Sequence, residues 1–336
     1  MFSRLPTDVM EDVLASLLDT PSLSTLSSVS HQSSFFAKPL LQKRKIEKLL
    51  QHVAYGQQKA AEAMLKEDPN LLLEKAIVED YSFGKDEKNL RKIEGTAFQI
   101  ALGAEDFDMC EMMLRYFDQL PYGKTLKLQQ ISEQFSENNG DKTEEERCFR
   151  DFEALDKVVK AIAEAKENDD CEAALDQFRA HLEPRGVIKK GKHFNTQLLL
   201  RALELYDEKY AAFGNRCDSP KNILFWRKII GYIQRFLPAH YAQAFSQGLF
   251  SIIKKGEKLN RSLIFRYDNA CFFPLNSNPQ SRLGYDFAAS PTCGREHLRG
   301  GGLGGARRFA KLLSSNSKKA CKIFCVAKPI HRRASI

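Results

Sequence analysis

Residues 5–40, LPTDVMEDVLASLLDTPSLSTLSSVSHQSSFFAKPL, constrain the fold most, because they hold more large apolar side chains than three short helices can hide. Pro6 suits an early helical position, where its missing N–H costs nothing. Asp8 and Glu11 put negative charge in the first turns, where the helix dipole favours it. Val9, Met10, Val13, Leu14, Leu17 and Leu18 recur at helical spacing and make one wide apolar face. Asp19-Thr20-Pro21-Ser22 reads as a turn with a Pro restart. Leu23, Leu26 and Val29 then form a second stripe, and Phe35, Phe36 and Leu40 a third. Burying one such side chain is worth roughly 1.5–3 kcal/mol, so the uncovered remainder needs a partner. That partner is either the chain's own later helices or another protein.

The Leu-Pro entry, the Pro-started second helix, the Val-Ser-His turn and the third apolar segment together resemble the F-box. The F-box is the helical module that plugs a protein into a Skp–cullin ubiquitin ligase. The resemblance implies a three-helix module over residues 1–45 in which Leu5 and Pro6 seat the Skp partner first. Val9, Met10, Val13 and Leu14 would widen that contact, and Leu17, Leu23 and Leu26 complete the implied partner-binding set. One departure is plain: many F-boxes carry a Trp in the third helix, where this chain has Phe35-Phe36.

The chain has 336 residues, 43% hydrophobic and 10% aromatic, which suits a soluble globular protein of two or three domains. No apolar run reaches the length of a membrane span, and no secretory signal pattern opens the chain. The net charge of +8 is unevenly placed: residues 291–336 hold eleven Lys or Arg against one acid, Glu296. Residues 1–290 are therefore slightly negative, which argues against a nucleic-acid-binding body. The eight cysteines show no CxxC pair and no zinc spacing, and they read as reduced thiols of a cytosolic protein. No metal and no cofactor is expected.

Residues 46–134 resemble a degenerate pair of ankyrin-type repeats. Gly95-Thr96-Ala97-Phe98-Gln99-Ile100-Ala101 matches the turn-and-helix start of that repeat, with Ala97 where Pro is usual. The first unit runs from Leu49 to an exit turn at Asp68-Pro69-Asn70, and residues 76–94 read as an insertion between the two. Met109, Met112 and Met113 sit at helical spacing and read as core. Residues 135–147 are polar and turn-rich, a linker or long loop. A helical domain follows over 148–260, interrupted at 184–193. In it Ser219 reads as an N-cap, Pro220 as the first helical residue, and Trp226 as the anchor of a bundle. Residues 261–290 read as an extended or irregular segment and 291–336 as a basic, disordered tail.

No catalytic constellation emerges. Gly300 to Gly305 lack the Gly-Lys-Ser/Thr ending of a phosphate loop, and Cys293 with His297 has nothing to hold a base. The order of F-box, ankyrin-like pair and helical block containing SPKNILFWRKIIGYIQRFLPAHY is similar to that of Legionella-type F-box/ankyrin effectors, proteins delivered by type IV secretion. The resemblance implies an all-α fold and a non-catalytic adaptor that binds host Skp, and through it a cullin ligase. It also implies an unidentified target held on the ankyrin-like or helical surface, and passage from bacterial cytoplasm to host cytosol. Two alternatives stay open: an interaction scaffold that never meets Skp, and an enzyme hidden in residues 150–290.

Overall fold

The structure is a computed structural model. It describes residues 14, 16–80, 91–135, 140–166, 171–183, 186–215, 219–234, 236–247, 249–261, 266–267, 270–271 and 305–325. Those residues are mostly helical, with little strand.

Helix α1 (Thr20–Val29) begins where the sequence calls for it, with Pro21 in its first turn and the Asp19 carboxylate accepting from Ser22 N at 2.8 Å. Ser30 stops α1 and caps α2 (His31–Ala54) through a reciprocal box with Ser33. Helix α2 runs unbroken past Pro39 and Leu49. The proposed boundary at residue 45 is therefore no structural break, since the third apolar segment and the first repeat helix are one rod. Gly56, at φ +66°, lets the chain reverse into α3 (Gln58–Glu67), a backbone conformation only glycine adopts freely.

A 3₁₀ turn (Pro69–Leu73) leads to strands β1 (Ala76–Asp80) and β2 (Arg91–Gly95), which pair antiparallel. Strand β3 (Val187–Ile188) joins β2 in parallel. This small sheet is a minor addition to a mostly helical fold, which agrees with an all-α class; it occupies the stretch read as an insertion and the 184–193 interruption. Thr96 then caps α4 (Ala97–Gly103) in a box with Gln99, and α5 (Phe107–Phe117) and α6 (Gly123–Gln134) complete the first half. Its core joins Leu49, Leu50, Phe98, Met109, Met112, Met113 and Phe117, so the methionines are core as their spacing implies.

The second half holds α7 (Gly140–Glu164), α8 (Glu172–Leu182) and α9 (Thr196–Lys209). Helix α7 starts inside the polar stretch read as a linker, because helical geometry there does not depend on an apolar face; among its described residues the buried apolar positions begin further on, at Leu155 and Val158, after the buried Asp151. Ser219 and Pro220 open α10 (Pro220–Phe225), which continues through a π-helical turn (Trp226–Ile230) into α11 (Gly231–Gln234). Helices α12 (Ala239–Gln247) and α13 (Leu249–Ile253) follow. Trp226 is buried edge-on against Tyr206, with centroids 4.9 Å apart, beside stacked Phe213 and Phe225. Two short strands, Arg266–Tyr267 and Ala270–Cys271, pair antiparallel.

The disordered tail is corrected over part of its length: Gly305–Cys325 form helix α14. The helix is strongly two-sided, with six basic residues and no acid, and it docks by its apolar side. Phe309 enters the second core beside Tyr241 and Phe245, and Ile323 enters the first. One helix thus pins both halves. Backbone bonds reinforce the junction, from His193 N to Gly103 O and from Gly191 N to Gln134 O, each 2.8 Å.

Candidate partner-binding surfaces

The N-terminal hairpin, α1 against the first half of α2, has a core of its own, small among the described residues. Leu14, Leu23, Ala37 and Leu40 close it, with Leu18, Leu26, Phe36 and Leu41 partly buried around them. Arg44 fastens the entry by donating Nη2 to the Leu18 carbonyl at 2.6 Å. Leu17, Val29 and Phe35 remain 75%, 72% and 65% exposed. An exposed Leu forgoes roughly 1.5–3 kcal/mol of burial, and three on one small module mark a surface suited to a partner.

Of the residues that resemblance assigns to Skp, Leu5, Pro6, Val9, Met10 and Val13 lie outside the described residues. Leu14 and Leu23 face inward in the hairpin core, Leu26 packs on its edge, and Leu17 points outward. Val29 and Phe35 belong to the apolar stripes already noted, but only the register of the hairpin reveals that they are left uncovered.

A second surface was not legible in the sequence. A cleft of about 1420 Å³ opens where α3, α5, α12, α13, residues 256–261 and α14 meet. Arg261 fixes its floor, donating Nη1 to Asp106 Oδ2 at 2.6 Å and Nη2 to Asp106 Oδ1 at 2.7 Å. Asp106 is also the N-cap of α5, accepting from Met109 N at 3.2 Å. Burial alone would raise its pKa, but the charge of Arg261, then that of His240, holds it down at about 2. Asp108 faces both Arg261 (3.6 Å) and Lys319 (2.5 Å). Asn316 Nδ2 donates to Tyr241 Oη at 3.0 Å on the same wall. His240 lines the cleft, and burial pushes its pKa down to about 4, so the ring is neutral near pH 7. The Cys110 thiol nearby is fully buried and its pKa is well raised by burial, which makes it a poor nucleophile.

A further polar cluster joins α7, α8 and the start of α9: the Asp151 carboxylate meets His181 Nε2 at 2.8 Å and accepts from Asn195 Nδ2 at 3.1 Å. It ties three segments together. Among the described residues no group of three or more His, Cys, Asp or Glu is placed to hold a metal ion, and no helix is long and apolar enough to cross a membrane.

No protein-family model, no curated protein and no solved structure matches the chain.

Proposed function

We propose that the protein is an F-box-type adaptor: its N-terminal hairpin binds Skp and brings a target to a Skp–cullin ligase, with no bond chemistry of its own. The observation that carries this reading is the trio Leu17, Val29 and Phe35, exposed on a hairpin whose buried core, among the described residues, is Leu14, Leu23, Ala37 and Leu40. Leu17 also belongs to the set that resemblance assigns to the partner. The rest of the chain supplies what an adaptor needs: a body pinned by α14 that carries the target at a fixed distance from the hairpin, raising its effective concentration near the ligase. In this reading the protein acts in a host cytosol after delivery from a bacterium.

The test is capture of purified Skp by the full chain. The parent should retain Skp on the resin, and a Leu5→Ala/Pro6→Ala chain with unchanged circular dichroism should lose most of it. Equal capture by both removes the F-box reading.

A further inference from the structure

Helix α14 turns toward solvent a straight row of positive charge that the fold does not use. Arg307, Lys311, Ser314, Lys318 and Cys321 follow one another at steps of four, three, four and three residues, and all five are exposed. That spacing puts them on one side of the helix, and at 1.5 Å per residue the three cations span about 16 Å. Among the described residues none of the three has an ion-pair partner. Their neighbours differ: Lys319 is matched by Asp108, and Arg308 feels the charge of Asp207 on α9. Glu204 and Glu208, further acids of α9, are held by Arg201. The row therefore keeps its charge. The loop after α13 adds Lys254, Lys255 and Lys258, all exposed, against Glu257. Lys258 lines the cleft with Ser315 and Lys319 of α14, so this loop borders the helix.

The chemistry of a partner follows from what the row lacks. Phe309 and Ile323 are buried in the two cores and Phe324 packs on the first, so the apolar side of α14 is already covered. The exposed side offers no aromatic ring on which a base could stack. It also offers no large apolar side chain to anchor a protein interface. A long polyanion such as a duplex would run on over residues 1–290, whose net charge is slightly negative. A flat anionic surface needs neither rings nor anchors, and it meets the row alone. Ser314 and Ser317, exposed between the cations, are short enough to let such a surface approach. Basic clusters on an amphipathic helix suit anionic lipid head groups for these reasons.

We propose that the Arg307–Lys311–Lys318 face of α14 docks the protein on membranes rich in anionic lipid. With the apolar side held in the cores, the contact is one of charge without insertion, and it is reversible. The face belongs to a different element from the N-terminal hairpin, and it stands whether or not that hairpin binds Skp.

Cosedimentation of the full chain with increasing amounts of lipid vesicles tests this. Phosphatidylcholine vesicles containing about one-third phosphatidylserine should retain the chain, and phosphatidylcholine alone should not. Raising the salt from about 0.1 M to about 1 M should release it, as screening shortens from about 10 Å to about 3 Å. Arg307→Gln/Lys311→Gln/Lys318→Gln, with unchanged circular dichroism, should bind roughly a hundredfold more weakly, at about fivefold per cation. Lys43→Gln/Lys66→Gln/Lys124→Gln removes the same charge from exposed positions of α2, α3 and α6 and should bind like the parent. No retention on the anionic vesicles, equal retention on phosphatidylcholine alone, or equal loss in the two triple variants would overturn the proposal. So would a DNA duplex that binds the parent more tightly than the vesicles do and loses that binding in the first variant.

Discussion

Asn316 of α14 donates Nδ2 to Tyr241 Oη of α12 at 3.0 Å, and both side chains are buried. One turn of helix further along, Lys319 pairs with Asp108 of α5. Helix α14 is thus bonded to both halves of the body as well as packed between them, and its removal should loosen both. Phe309→Ala should cost about 3–5 kcal/mol, the range for truncating a buried Phe, and lower the thermal midpoint by several degrees. A melting curve unchanged within a degree would mean that α14 is not part of the folded core.

The Arg261–Asp106 pair is buried and bidentate. Breaking a buried pair by removing one partner leaves an uncompensated charge, at about 3–5 kcal/mol. Arg261→Met should therefore destabilise strongly, and Arg261→Met/Asp106→Asn should recover part of the loss. Chemical denaturation of the two variants checks this; a double variant no better than the single one would contradict it.

Gly103 sits against the imidazole of His193, so a Cβ added there overlaps the ring. Gly103→Ala should cost about 1–3 kcal/mol by overpacking, and adding His193→Ala should relieve that particular clash. Coupling in a double-mutant cycle measures the contact; additive effects would disprove it.

Stability should fall in acid, in two stages. His193 and His240 have pKa values pushed below 6.5, to about 3 and about 4, first by burial; for His193 the charges of Arg91 and Arg147 add to it. Around His240 the facing charges are Asp106, Arg261, Asp108 and Lys319, which largely cancel. The unfolded chain binds these two protons first, so stability is full above pH 6.5 and is lost as pH falls below it. Asp106 and Glu133, both held down at about 2, extend the loss between roughly pH 4.5 and 2. Denaturant midpoints at pH 7.5, 5.5 and 4 should decrease in that order, and His240→Phe should flatten the first stage.

Much of the helical frame was readable because its signals are local. The Ser219-Pro220 start, the Thr96 cap and the Met109, Met112, Met113 stripe each need only their own neighbours in sequence, and each appears in the structure. The sheet was not readable because β2 is only five residues long and puts a charged residue, Arg91, at an inward position. That charge is tolerated because Arg91 Nη1 donates to the carbonyl of Phe236, 145 residues away. Helix α14 was masked by its setting: Phe309, Leu312, Leu313, Ala320, Ile323 and Phe324 keep helical spacing, but they lie in a basic stretch after a glycine run. The cleft is wholly tertiary, since Asp106, His240 and Arg261 come from separate segments that share no motif, and Lys319 is brought to them by α14.

The adaptor reading stands or falls on Leu17. Its side chain is 75% exposed, so a charge there costs the fold little, while it should spoil an apolar contact. Titration calorimetry of purified Skp into the full chain is the most direct measurement, with the parent beside Leu17→Asp. The account predicts saturable binding by the parent and a loss of at least about tenfold in Leu17→Asp at equal thermal stability. No binding by the parent, or equal affinity for both chains, would contradict it.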